Sequence, residues 1–137
     1  MSTWTDLVSA IEGELQTLNI RAARKPFDGA AGMELENQFW ITNESGTRFQ
    51  EMSGKYVDTE TVTIVIAEKI DFGNPNKSVK DIGDRRDTIR KNLTDHAFHV
   101  KLPTLVYQVL YTGHDIEAET KYLKDNIHFE FKIRRTI

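Results

Sequence analysis

Ile127-His128-Phe129-Glu130-Phe131-Lys132-Ile133-Arg134 alternates apolar and polar residues without a break almost to the end of the chain. Side chains of a strand point to opposite faces with a period of two, so Ile127, Phe129, Phe131 and Ile133 form one row suited to a core. The other row, His128, Glu130, Lys132 and Arg134, is too polar to lie under a packed helix layer and must face water or a partner. The pattern predicts an antiparallel sheet covered on one side only.

Upstream, Thr104 to Thr112 reads as another strand, apolar on both faces through Leu105, Val106, Tyr107, Val109 and Leu110. Gly113-His114-Asp115 then reads as the connection that returns the chain into the terminal strand as an antiparallel hairpin. Thr61-Val62-Thr63-Ile64-Val65-Ile66-Ala67 is β-branched almost throughout, apolar on both faces near its middle, and predicts a central strand. Gln38-Phe39-Trp40-Ile41-Thr42 has strand composition and runs into the turn signal Asn43-Glu44-Ser45-Gly46. The polar stretch from Asn43 to Asp58 predicts a long loop, and loops of that length in compact domains tend to be functional or disordered.

Trp4, Leu7, Val8, Ile11, Leu15 and Leu18 fall on one stripe of a 3.6-residue helix, with Thr3 placed as N-cap and Asn19 as stop signal. Gly13 interrupts that helix at a cost of roughly 1 kcal/mol relative to alanine. A close neighbour needs the missing side chain, or the helix is locally soft. Ser78-Val79-Lys80-Asp81 resembles a capping box and predicts a second helix to Leu93, with Val79, Ile82, Ile89 and Leu93 on its apolar face. The expected fold class is α+β. Its mostly antiparallel sheet of about four strands packs with two main helices in the order α-β-β-α-β-β, with the long loop between the first two strands.

The 137 residues fit one domain spanning residues 1–137. No apolar run approaches the roughly 20 residues needed to span a bilayer. The amino terminus lacks a basic segment followed by an apolar one, which predicts folding in a cytoplasm. With no cysteine, neither a disulfide framework nor a thiolate metal site can exist. A formal net charge of -3 argues against a general or sequence-specific nucleic-acid binder. The charge is uneven, with seven carboxylates against two basic residues from Asp28 to Glu60, and five basic against three acidic from Ser78 to Leu93. One surface could complement another copy of the chain, or both could simply be solvated.

His96 and His99, three apart beside Asp95, have a spacing that suits two metal ligands on one helical turn. The glutamate of a zincin motif and a third ligand are missing, so a polar helix exit is the plainer reading and no metal is assigned. His114 and His128 read as surface residues. Gly46 and Gly54 lack Walker spacing, and no Gly-x-Ser-x-Gly elbow occurs. Asp58 and Glu60 stand at a strand entrance, where alternate carboxylates are ordinary. Arg86 is less ordinary because it occupies the apolar row of the second helix, where leucine is expected. Its guanidinium must snorkel to water or meet a carboxylate, including one from a neighbouring subunit.

In length, element order and texture over most of the chain, these elements resemble a tail terminator, or a related tail completion (head-to-tail neck) protein, of long-tailed phages. Carrying the resemblance are the amphipathic helix Trp4 to Leu18, the segment Asn43 to Asp58, the strand Thr61 to Ala67, the helix Ser78 to Leu93 and the closing strand pair. It implies a non-enzymatic virion protein, without catalytic residues or cofactor, assembled in the host cytoplasm and located in the tail or neck. It implies a homo-oligomeric ring, a hexamer, that caps the tail tube and offers a surface to the head connector while DNA passes through the lumen. Its long loops would face the lumen or adjoining rings. Arg48, Lys55, Tyr56 and Arg86 are the candidate subunit or partner interface. Two other readings come from different classes: a small-ligand or peptide-binding α+β module with residues 43–58 as a lid, and a metal-assisted hydrolase using His96 and His99.

Overall fold

The computed structural model describes residues 3–22, 38–50, 54–119 and 121–136. In chain order these form α1 (Thr3–Thr17), β1 (Arg21–Ala22), β2 (Gln38–Gln50), β3 (Lys55–Lys69), α2 (Pro75–Leu93), the single turn α3 (His96–His99), β4 (Val106–Ala118) and β5 (Tyr122–Thr136). The fold is α+β, as the alternation predicts. Four long antiparallel strands lie in the order β2-β3-β5-β4, and the two-residue β1 adds parallel to the outer side of β2.

The core follows from the two periods. Ile127, Phe129, Phe131 and Ile133 of β5 are buried on the same face as Val62, Ile64 and Ile66 of β3, with Val62 opposite Phe129 and Ile64 opposite Ile127. Leu7, Ile11 and Leu15 of α1 and Ile82, Ile89 and Leu93 of α2 close over that face in one cluster. Both helices thus spend their apolar stripes on one side of the sheet. Asn19, at φ 61°, ends α1 in the left-handed region, where Ile20 N donates to Leu15 O at 3.0 Å in a Schellman-type closure.

Four expectations are corrected. Residues 43–50 and 55–58 are not a loop. They are the outer arms of a β2–β3 hairpin, with Ser45 opposite Thr61 and Gln50 opposite Tyr56, because ladder bonds come from the backbone and do not require an apolar row. The second helix starts at Pro75, not Ser78, since proline at the first helical position sacrifices an amide that has no partner there anyway. Ser78 instead joins strand to helix: its buried Oγ accepts from Asp71 N at 2.8 Å and donates to Lys69 O at 3.2 Å. The buried row of α2 accordingly runs from the polar Ser78 through Ile82, Ile89 and Leu93, and Val79 is half exposed.

The third and fourth corrections concern the closing hairpin. β4 is the terminal strand of the sheet, so its apolar residues are not evenly buried: Tyr107, Leu110 and Ile116 are exposed, as is Leu105 just before it. Gly113-His114-Asp115 lies inside β4, and the reversal comes later, where Glu119 N donates to Tyr122 O at 2.8 Å. Gly113, at φ 140°, forms a bulge instead of a turn.

Candidate functional site

The four interface residues expected from sequence do not form one cluster. Arg48 pairs with Asp58 and Tyr56 with Gln50 in the β2–β3 ladder, while Lys55 and Tyr56 stand beside Thr136 and Arg135 of β5, so these three share one end of the sheet. The side chain of Arg48 lies outside the described residues. Lys55 is exposed and Tyr56 partly buried. Arg86 lies elsewhere. Its Nη1 donates to Asp125 Oδ2 at 2.6 Å, ten residues before Arg135, or about 34 Å along a strand rising roughly 3.4 Å per residue.

That contact decides between the alternatives for Arg86: the guanidinium meets a carboxylate instead of snorkelling to water, and the carboxylate belongs to its own chain, not to a neighbouring subunit. Asp125 belongs to the buried row of β5 and is fully buried, while Arg86 is 17% exposed. Oδ1 of the same carboxylate makes no hydrogen bond among the described residues. Burial of the charge outweighs the Arg86 hydrogen bond and holds the Asp125 carboxyl above its ordinary value. A neighbouring arginine is also engaged: Arg85 Nη2 lies 2.6 Å from Glu68 Oε2.

On the opposite face, which carries no helix among the described residues, the structure brings together groups that the sequence reading left apart. His128 Nε2 lies 2.7 Å from Asp115 Oδ2, and Nδ1 lies 2.8 Å from Thr63 Oγ1, so one imidazole links β4, β5 and β3. A carboxylate only accepts, which places the proton on Nε2 and leaves Nδ1 to accept from the Thr63 hydroxyl when the ring is neutral. The network continues through Lys124 to Glu117 at 3.0 Å and Lys132 to Thr59 at 3.0 Å.

The bulge puts Asp115 there. Tyr111 is opposite Phe129 and Gly113 opposite His128, so β4 spends two steps where β5 spends one. Without the extra residue, Asp115 would share the face of Tyr111. With it, Asp115 stands opposite Asn126, on the face of His128. The isolated glycine inside an alternating segment was the available signal.

Hydroxyl, imidazole and carboxylate in series have the chemistry of a nucleophilic relay, yet Thr63 is only 1% exposed and its oxygen is out of a substrate's reach. The arrangement is a cross-strand clasp. His96 and His99 sit on α3, where Asp95 caps the turn by accepting from Ala97 N at 2.8 Å. Among the described residues no three His, Asp or Glu side chains gather as a metal ion needs. Asp58 is nine-tenths buried and accepts from Arg135 Nε at 2.8 Å.

No family model matches the chain, and a search of curated proteins finds no match. Among the described residues no helix is long and apolar enough to cross a membrane.

Proposed function

We propose that this chain is a non-enzymatic structural protein of the tail terminator or tail completion kind, a subunit that assembles as a ring, hexameric by the resemblance, to cap a phage tail tube and join it to the head connector. The observation that supports it best is the asymmetric sheet: helices cover one face, the other carries the hydrogen-bonded groups Asp115, His128 and Lys132 around the buried Thr63 and Val65, and β4 ends the sheet with Leu110 and Ile116 exposed. Such a sheet buries its core within one chain and still offers a strand and a face to other polypeptides. A contact between two different surfaces of identical copies closes into a ring when its rotation allows. Residues 43–50 and 55–58 of the segment expected as a lid form hairpin arms, which favours the assembly reading over the ligand-binding one.

The test is assembly. Purified chain, alone and mixed with tail-tube protein from the same genome, is studied by light scattering and negative-stain microscopy. Closed rings seated at tube ends, with tubes of limited length, are the expected result. A chain that remains monomeric at high concentration and never engages a tube end sinks the reading.

A further inference from the structure

Resting on the ring reading, we infer that the subunit contact is an edge-to-edge strand pairing, in which β4 of one copy adds antiparallel to the free reach of β2 in the next. The occupant of each edge is a second copy of this chain.

Among the described residues the sheet has two open sides. β4 has a neighbour only in β5, and β2 is flanked by β1 only at Gln38 and Phe39. From Trp40 to Gln50, no further strand lies outside β2 among the described residues. The two edges match in three respects. Both strands are 13 residues long. Directions alternate across β2-β3-β5-β4, so β4 of one copy beside β2 of the next, with the sheet continued in the same sense, makes another antiparallel pair.

The edges also stand at the same levels. Trp40 is opposite Val65, Val65 opposite Asn126, and Asn126 opposite Asp115, whereas Arg48 is traced through Asp58 and Ile133 to Val106. The free part of β2 therefore spans the levels of Val106 to Asp115. Continuing the sheet requires no slide.

β4 is lightly guarded against such pairing, with its two carboxylates, Asp115 and Glu117, both toward one end. From Val106 to Ala118 it contains no lysine, arginine or proline, the residues with which solitary edges commonly repel other strands. Its two irregularities, at Val106/Gln108 and Tyr111/Gly113, bend and twist the strand. A bent edge turns successive copies relative to one another, as closure by rotation requires.

The size of the contact favours a ring over a pair. Ten residues at about 3.4 Å each, across a sheet roughly 10 Å thick, cover on the order of 340 Å² per partner. About 700 Å² in total is below the roughly 1,200 Å² of a specific stable dimer. One contact alone is weak, whereas every copy in a closed ring makes two.

Hydrogen exchange by mass spectrometry on the full chain, dilute and concentrated, tests the pairing. Exchange is expected to slow at 106–115 and 40–50 together on assembly, while the interior strands β3 and β5 change little. Leu110→Lys and Tyr107→Lys, at exposed positions within the paired span, should each raise the concentration for half-assembly at least tenfold by sedimentation velocity. Val79→Lys, at an exposed position on α2, should leave it unchanged. Rings that form without slower exchange at both edges overturn the pairing and leave the ring reading standing. So do rings insensitive to both edge variants. A dimer that never grows overturns the pairing, because it points to β4 against β4. A chain monomeric at every concentration removes both readings.

Discussion

Arg86 and Asp125 form an ion pair at 2.6 Å beneath α2, joining a position where the helix should carry leucine to one where the strand should carry an apolar residue. Each residue breaks the pattern of its own element, and each violation accounts for the other. Taking two charges out of water costs several kcal/mol per ion, so such a pair adds little net stability, whereas breaking it from one side is costly. Arg86→Leu should destabilise the chain by about 3–5 kcal/mol and Asp125→Leu by a similar amount, while the double variant should lie within about 1–2 kcal/mol of the parent. Urea denaturation of the four proteins measures the cycle. Additive single effects would show that the two side chains act independently.

Asp125 also makes a prediction about pH. Its carboxyl titrates above the ordinary value in the folded chain because burial outweighs Arg86. Between the ordinary and the raised value, the native state holds a proton that the unfolded chain has released. Stability from this group is fully present below the ordinary aspartate range and is lost as pH rises through the raised value. Asp125→Asn removes that titration. The stability of the parent minus that of Asp125→Asn should therefore fall as pH is raised from about 3.5 toward neutrality. A difference that grows with pH would show that Arg86 dominates instead.

Among the described residues nothing lies within 4 Å of where a Cβ of Gly13 would stand, so none of them requires the missing side chain. Of the two readings the sequence allowed, the close neighbour is not found among the described residues. Gly13→Ala should stabilise the chain by about 0.5–1 kcal/mol through helix propensity alone. In a thermal melt this is a rise of about 2–6 °C for a chain of this size. An unchanged or lower midpoint would reject that account.

The sequence carried the framework where periodicity was strong. Leu7, Ile11 and Leu15 of the first stripe and the alternation from Ile127 to Ile133 return as buried rows, with Trp4 and Leu18 partly buried at the ends of the stripe. The hairpin arms at 43–58 were opaque because polar residues alternate with no consistent apolar side, and backbone pairing leaves no mark on composition. Arg86 was visible as an anomaly. Its partner was legible too: extending the alternation two residues back from Ile127 puts Asp125 on the buried row. The clasp of Thr63, His128 and Asp115 was hidden by Gly113, since glycine followed by a histidine and an aspartate fits a turn as well as it fits a bulge. Register decided between them, and register is a property of two strands together.

Gly113 supplies the last test because it sets the face on which Asp115 emerges. At φ 140° it occupies backbone space that side chains rarely adopt, although nothing stands within 4 Å of a Cβ there. Gly113→Ala should therefore cost about 1–3 kcal/mol through the backbone alone. If the strand escapes that strain by losing the bulge, Asp115 moves to the face of Tyr111 and the 2.7 Å contact with His128 is lost. The ring signals of His128 in a two-dimensional NMR spectrum should then shift in the same direction in Gly113→Ala as in Asp115→Asn, and Thr63→Val should perturb them through the other nitrogen. Gly113→Ala spectra that retain the parent His128 signals at reduced stability would mean that the bulge survives the strain. The aim of Asp115 would then be fixed by the hydrogen bonds of Asn126 and Thr112 around it, not by the glycine.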